Sequence, residues 1–352
     1  MAPWSVEDLG AGVSRRVEDL EAEVLDRLAA YGRELGPELA AAFEQLATRI
    51  RLFVGRGGDG YFSHPLALPV LDLPRWAGPD LPGAVIADLA EASAAGYLRV
   101  RVEDDWFDEG IGEPGAVMML AGALAARHEA RIGRALRSTP PSSSFSSTAA
   151  ASPMAAVSAA VSAAMSPSSM SAFWDLHEQV WRGYAEAMLL ERRLQRGEAS
   201  YDEAAFRRVL GRSRPLLLPA AAALFAAGRA EALPDLVRFV EGLAAGHQLF
   251  ADLVHAQKDR ALGVTTHALF RLGIGAGTGA DDDARALGAA LLGGMDGIVD
   301  AARRELGVAR EAAEALGAPE AAAFVDGRLQ SMDDFRTRII RAIFTGSTAP
   351  PA

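Results

Sequence analysis

The sequence predicts an all-α protein, and three observations support that class. Half of the 352 residues are hydrophobic, so the chain can form a large core. Alanine is abundant and runs of β-branched residues are rare, which favours helices over strands. Apolar residues such as Leu20, Val24 and Leu28 recur at the spacing of one helix face. We therefore predict a helical bundle that forms a single domain over residues 1–344.

Glycine and proline divide the chain into separate helices. Helical periodicity is spelled out in Val17–Phe53, with a break at Pro37, and in Phe324–Phe344. Further helices are predicted at Ala84–Glu103, Val117–Leu136, Phe173–Gln195, Tyr201–Gly228 with breaks at Gly211 and Pro215, Leu233–Gly263, and from Asp281. Gly55–Gly83 is rich in glycine and proline and is predicted to be an irregular connector. Residues 138–171 consist almost only of Ser, Ala, Pro and Met and predict a flexible insertion, whereas residues 345–352 predict a disordered tail.

Composition excludes several classes of function. The chain has no cysteine, which excludes disulfides, thiolate metal sites and thiol catalysis. Acidic residues outnumber basic ones by 46 to 35, and a net charge of −11 argues against nucleic-acid binding. Neither a signal peptide nor a long uncharged apolar run stands out. We predict a cytoplasmic protein that does not span a membrane.

The first candidate site is the acidic cluster Asp104-Asp105-Trp106-Phe107-Asp108. On a helix, Asp104 lies four residues from Asp108 and Asp105 lies three residues from it, so the carboxylates share a face. Like charges at this spacing repel each other, and a divalent cation with carboxylate ligands would offset that repulsion. The alternative is a solvated acidic turn at the end of a helix.

The second candidate site is a helical face that contains Asp252, His255 and Asp259, three and four residues apart. These side chains could hold a metal ion, while the neighbouring Lys258 and Arg260 could contact an anion. The alternative is an ordinary helix with charge partners along its surface.

The third candidate site is a basic segment in an otherwise acidic protein. Gly211 and Pro215 interrupt the helix there. Arginine suits phosphate oxygens because its planar guanidinium can donate two parallel hydrogen bonds. A solvated basic turn, or ion pairs with Glu198 and Glu203, is the alternative. Four arginines fall within eight residues: Arg207, Arg208, Arg212 and Arg214.

Taken together, these features resemble the class I isoprenoid synthases, the superfamily of terpene cyclases and trans-prenyltransferases. Their first metal motif is DDxxD, which residues 104–108 match in full. The resemblance implies a helical fold with a central apolar cavity, a prenyl diphosphate substrate and up to three Mg²⁺ ions. It also makes a homodimer possible. The metal ligands it implies are Asp104, Asp105, Asp108, Asp252, His255 and Asp259.

The motifs of the trans-prenyltransferases and their spacing are matched in part. There an Arg-Arg-Gly-x-Pro run often follows the first motif, and here Gly110-Ile111 replaces the two arginines. Of the second motif, QxxDDxxD, Gln248 and Asp252 are present. A Lys-Thr pair that touches diphosphate in the family corresponds in spacing to Arg212-Ser213. By this resemblance, the diphosphate-binding residues are Arg207, Arg212, Gln248, Lys258 and Arg260.

The motifs of the terpene cyclases and their spacing are also matched in part. Their second motif, NDxxSxxxE, corresponds to Ala251–Asp259, with His255 at the serine position and Asp259 at the glutamate position. Arg207 and Gly211 would then be the diphosphate-sensing arginine and its effector. Compared with either family, the second metal motif of this chain is atypical.

We interpret the sequence as a terpene synthase that ionises a prenyl diphosphate and cyclises the carbocation. The missing arginines at Gly110-Ile111, and an incomplete basic stretch at Arg51–Gly58, favour cyclisation over chain elongation. A trans-prenyltransferase that uses isopentenyl diphosphate is the first alternative. The second is a catalytically silent homologue that acts as a binding protein.

Overall fold

The computed structural model describes residues 15–53, 61–62, 68–138, 167–261, 263–274 and 281–345, and these residues contain helices and no strand. The α-helices are α1 (Arg15–Glu34), α2 (Pro37–Arg49), α3 (Leu73–Ala77), α4 (Gly83–Glu109), α5 (Pro114–Ser138), α6 (Pro167–Gln195), α7 (Glu203–Val209), α8 (Leu217–Ala226), α9 (Leu233–Ala261), α10 (His267–Arg271), α11 (Asp281–Ala315) and α12 (Pro319–Thr345). Two 3₁₀ segments, Leu210–Leu216 and Ala230–Ala232, precede α8 and α9. The predicted all-α class is therefore confirmed.

The predicted breaks agree with the observed helix ends. Pro37 begins α2, and the segment around Gly211 and Pro215 is a 3₁₀ turn between α7 and α8. The predicted connector Gly55–Gly83 contains the short helix α3 among its described residues. Residues 139–166 and 346–352, which cover most of the predicted insertion and nearly all of the predicted tail, lie outside the described residues.

The chain divides into two compact units. The N-terminal unit contains Val13–Trp181 and Pro215–Leu236, and the C-terminal unit contains Arg182–Arg214 and the described part of Val237–Ala352. The single domain over residues 1–344 stays a prediction.

Helix α8 is the most apolar element of the N-terminal unit. All of its residues except Phe225 are buried, and it packs against α3, α4 and α5. Helix α7, the 3₁₀ segment Leu210–Leu216 and α8 follow one another in the chain as Glu203–Ala226. By length and composition, this stretch is apolar enough to cross a membrane. Within its most apolar window, 72 % is buried in the protein. Burial of this kind is what a core helix requires.

Two buried acids on α4 hold the N-terminal unit together. Asp88 and Glu91 are 2 % and 0 % exposed. A buried carboxylate is stable only when cations and hydrogen bonds replace its lost hydration. The arginines come from α1 and α5: Arg27 at 2.9 Å and Arg134 at 2.9 Å from Asp88, and Arg127 at 2.6 Å and Arg131 at 3.0 Å from Glu91.

Two stacked histidines lie in the same unit. The rings of His128 on α5 and His177 on α6 are 5.7 Å apart. His128 donates its Nδ1–H to the carbonyl of Ala92 at 2.8 Å, and the indole N–H of Trp181 donates to His177 at 3.2 Å. Burial lowers the pKa of both imidazoles to about 4. Both are therefore neutral at pH 7.

In the C-terminal unit, glycine allows α9 to approach α11 closely. A Cβ atom at Gly242 would lie 2.7 Å from the carbonyl oxygen of Glu305, which is too close for any side chain. The rings of Phe250 on α9 and Phe335 on α12 meet edge-to-face at 5.0 Å. Helix α11 also packs against α12.

The substitution Glu91→Gln tests the buried ion cluster. It keeps the size of the side chain but leaves Arg127 without this counter-charge and leaves Arg131 with Asp88 alone, so we expect the free energy of unfolding to fall by about 3 kcal/mol. Urea denaturation measures the change. Glu129→Gln, on an exposed position of α5, is the matched control, and an equal loss in both variants would contradict the role of the cluster.

The histidine pair predicts a loss of stability in acid. The pKa of His128 is near 6.5 in the unfolded chain and about 4 in the folded protein, so the unfolded state takes up protons first as the pH falls. The contribution of the neutral His128 to the free energy of unfolding is complete above pH 6.5 and is lost progressively as the pH falls towards 4. We expect His128→Gln to remove up to about 1.4 kcal/mol per pH unit from that slope, as measured by urea denaturation between pH 7.5 and 4.5. An unchanged slope would show that His128 is not the titrating group.

Candidate functional site

The first acidic motif occupies the last two turns of α4. The helix ends at Gly110, whose φ of 65° is left-handed and whose N–H donates to the carbonyl of Trp106 at 3.0 Å. Positions 104, 105 and 108 therefore fall at the negative end of the helix dipole. Acids at this end cost about 0.3–1 kcal/mol each. The cluster is thus intrinsically unfavourable, and a cation would stabilise it.

Asp105 is buried and already neutralised by the protein. It is 3 % exposed, pairs with Arg49 of α2, and lies 2.8 Å from Arg101 one turn earlier on α4. Burial, followed by the neighbouring Tyr97, raises the pKa of the nearby Tyr61 hydroxyl. A carboxylate with two arginine partners is in the environment of a structural ion pair. Asp105 therefore does not fit a metal ligand.

Asp104 differs from its neighbour in exposure. Its side chain is 27 % exposed and lies 3.9 Å from Arg101. The side chain of Asp108 lies outside the described residues. Carboxylate oxygens are the ligands that Mg²⁺ prefers, so the residue types at 104 and 108 fit this ion.

The second motif is placed differently, within the C-terminal unit. Asp252 on α9 is 4 % exposed. One oxygen accepts a hydrogen bond from Nε2 of Gln248 at 2.5 Å, and the other accepts one from the backbone N–H of His267 at 3.1 Å. Burial raises the pKa of Asp252 to about 6. This carboxylate thus accepts one hydrogen bond from α9 and one from the start of α10, and the described residues around it do not fit a Mg²⁺ site.

The structure brings Arg212 and Gln248 together. The guanidinium of Arg212 donates to Oε1 of Gln248 at 2.6 Å and to the carboxylate of Glu191 at 2.6 Å. Glu191 and Gln248, but not Arg212, line a small cavity of about 40 Å³. It is lined by Glu191, Leu194, Gln195, Tyr201, Val209, Gln248, Asp252, Val264, Thr265 and Thr266.

Arg207 and Gly211 are not among the residues that line that cavity. Arg207 makes a bidentate pair with Glu305 of α11, with N–O distances of 3.0 and 2.5 Å. Gly211 lies where the 3₁₀ turn meets α6, and a Cβ there would be 3.3 Å from Cβ of Ala187. Their sensing role stays a prediction.

The remaining predicted residues lie towards the end of α9. His255 and Lys258 are exposed, whereas Asp259 and Arg260 are half-buried. Partial loss of hydration, followed by the charge of Lys258, lowers the pKa of His255. Among the side chains that the structure describes, no group of three or more His, Asp or Glu residues could hold a metal ion.

Sequence reasoning missed Glu191, Tyr201 and Thr266. Burial, then the charges of Asp252 and Glu191, raises the pKa of the Tyr201 hydroxyl. Thr266 is an N-cap that accepts a hydrogen bond from the N–H of Leu269 at 3.4 Å. A threonine just before an apolar helical turn is a signal that could have identified this cap. No local pattern marks Glu191 as the partner of Arg212.

The helical architecture is that of an isoprenoid synthase-type fold. A similar solved structure is the geranylgeranyl pyrophosphate synthetase from the archaeon Geoglobus acetivorans, with a TM-score of 0.56 and 13 % sequence identity. The similarity covers 88 % of this chain and 99 % of that one. No family model matches the sequence, and no curated protein matches it. At this identity the likeness establishes the fold alone.

Asp104 and Asp105 are adjacent residues that we expect to respond differently to substitution. Asp105→Asn leaves Arg49 and Arg101 without their buried counter-charge, so the free energy of unfolding should fall by about 2–3 kcal/mol, a value reduced because both arginines are about one third exposed. Asp104→Asn should change it by less than about 1 kcal/mol. Chemical denaturation of the two variants measures the difference, and equal losses would contradict the assignment.

Proposed function

We propose that the chain is a Mg²⁺-dependent terpene synthase that ionises a prenyl diphosphate and cyclises the resulting cation. The observation that carries this proposal is a complete DDxxD sequence in the final turns of α4, within an isoprenoid synthase-type fold. The diphosphate is the leaving group, and the cation forms in an apolar environment that excludes water.

The acids of α4 support the metal part of the proposal. Three aspartate positions fall in the final turns of the helix, where negative charge is unfavourable, and Asp105 is paired with arginines there. Asp104 and Asp108 would hold Mg²⁺. When bound, the ion supplies positive charge for the departing diphosphate.

Arg212 supports the diphosphate part of the proposal. Its guanidinium is held by two acceptors, so its plane is fixed before substrate arrives. A preorganised donor stabilises developing negative charge without reorganising during the reaction. Arg212 would bind diphosphate oxygen and assist departure of the leaving group.

The segment after the motif favours cyclisation over elongation. Trans-prenyltransferases often carry two arginines directly after the first motif. In this chain the first of these positions is Gly110, which caps the C-terminal end of α4 in a left-handed conformation. Ile111 follows with an apolar side chain that is 36 % exposed. Neither residue can neutralise the diphosphate of a second substrate. The name of the similar structure, a geranylgeranyl pyrophosphate synthetase, makes prenyl transfer the runner-up.

A catalytically silent homologue is the second candidate. It is favoured by the internal bonding of groups expected to serve substrate: both oxygens of Asp252 accept protein hydrogen bonds, and Arg207 is paired with Glu305. Such a protein would bind a ligand without ionising it.

Turnover of defined substrates tests the proposal. The full chain is incubated with C10, C15, C20 and C25 prenyl diphosphates and Mg²⁺, with and without isopentenyl diphosphate. We expect release of diphosphate and a hydrocarbon or alcohol from one substrate alone. Asp104→Asn should lower the rate by on the order of 100-fold because it removes a charged metal ligand. Asp80→Asn, in an exposed loop, is the matched control and should retain the wild-type rate.

The other outcomes identify the alternatives. Longer prenyl diphosphates that form only with isopentenyl diphosphate would replace cyclisation by prenyl transfer. Absence of turnover with every substrate would contradict both enzymes and favour the silent homologue.

A further inference from the structure

Four side chains of the C-terminal unit form a continuous hydrogen-bonded series, which we call the Arg212 relay. It consists of Asp252, Gln248, Arg212 and Glu191. Asp252 accepts from Gln248 at 2.5 Å, Gln248 accepts from Arg212 at 2.6 Å, and Glu191 accepts from Arg212 at 2.6 Å. The relay links α9, the 3₁₀ turn before α8, and α6.

Asp252 and Arg212 together fix the orientation of the Gln248 side-chain amide between them. An ionised carboxylate only accepts hydrogen bonds, and a guanidinium only donates them. Gln248 must therefore turn its NH₂ group to Asp252 and its carbonyl oxygen to Arg212. Because Glu191 accepts at a second nitrogen of Arg212, the plane of the guanidinium is fixed at two points.

The surroundings of Asp252 oppose a cation. Its second oxygen accepts the backbone N–H of His267 at 3.1 Å, so both oxygens face the positive ends of N–H dipoles. Two of its roughly four lone-pair sites are thus occupied by N–H donors. Because the carboxylate is 4 % exposed, a Mg²⁺ ion, which gives up its water reluctantly, would have to lose most of its hydration to reach the remaining sites. The carboxylate is arranged for donors rather than for Mg²⁺.

The relay borders the small cavity described above. Glu191, Gln248 and Asp252 belong to the lining of that cavity of about 40 Å³. A polar group that enters the cavity would therefore lie beside the relay.

We propose that Asp252 is a positioning residue rather than a metal ligand. Through Gln248 it sets the orientation in which Arg212 meets the diphosphate. This inference rests on the proposed function, because it assigns diphosphate to Arg212. The family resemblance implies that Asp252 binds metal, and our proposal differs from that. On our proposal, the metal ligands belong to the first motif, residues 104–108.

A double-mutant cycle tests the relay. Wild type, Asp252→Asn, Arg212→Lys and the double variant are titrated with inorganic diphosphate and Mg²⁺ by calorimetry. An asparagine can also donate to Gln248, so the amide is no longer held in one orientation, and we expect the affinity for diphosphate to fall about tenfold. The double variant should bind within about twofold of Arg212→Lys alone, because Asp252 acts through Arg212.

The Mg²⁺ requirement separates positioning from metal binding. At fixed diphosphate, the Mg²⁺ concentration for half-maximal binding should be the same in Asp252→Asn and in the wild type. An increased requirement, or additive losses in the double variant, would overturn the proposal. Asp300→Asn, an exposed acid on α11, is the matched control and should change neither quantity. Gln248→Met, which keeps the side-chain length but removes both hydrogen bonds, replaces Asp252→Asn if that variant does not fold.

Failure of the proposed function is distinguishable from failure of the relay. If wild type binds no Mg²⁺-loaded diphosphate, the proposed function is wrong. The relay is then tested by the ¹⁵N resonance of the Arg212 guanidinium, identified by its absence in Arg212→Lys. A shift of that resonance in Asp252→Asn supports the coupling, and an unchanged resonance overturns it.

Discussion

The carboxylates buried along α4 are the constraint on which the N-terminal unit depends. Asp88, Glu91 and Asp105 are each at most 3 % exposed, and each needs cationic partners from outside its own turn. Arg27 of α1, Arg49 of α2 and the arginines of α5 supply them. Three neighbouring helices are thus tied to one helix by charge as well as by apolar contact. Apolar packing alone is non-directional, whereas these pairs specify which turn faces which.

The same helix carries an acid in a different environment. Asp104 shares its end of α4 with Asp105, but its side chain is 27 % exposed. One acidic cluster therefore combines a buried, arginine-paired carboxylate and a more exposed one. Sequence spacing treats the two as equivalent, and only burial and the positions of arginines distinguish them.

Local sequence patterns predicted the helices and their breaks because these depend on residues close in the chain. Apolar periodicity identified α1, α2 and α12, and Gly211 with Pro215 marked the 3₁₀ turn. The partners of the candidate site residues depend on the tertiary fold. Arg207 pairs with Glu305, 98 residues later in the chain, and Asp252 accepts the N–H of His267 from another helix. No periodicity encodes such pairings, so the sequence could identify the residues but not their partners.

The burial of α8 has a consequence for biosynthesis. A segment this apolar would be prone to aggregate if it left the ribosome without partners. The helices that cover it, α3, α4 and α5, all precede it in the chain. They are synthesised first, so a surface that can receive α8 is available when it emerges. The order of the helices along the chain thus lets the most apolar helix of this unit meet its packing partners as it is synthesised.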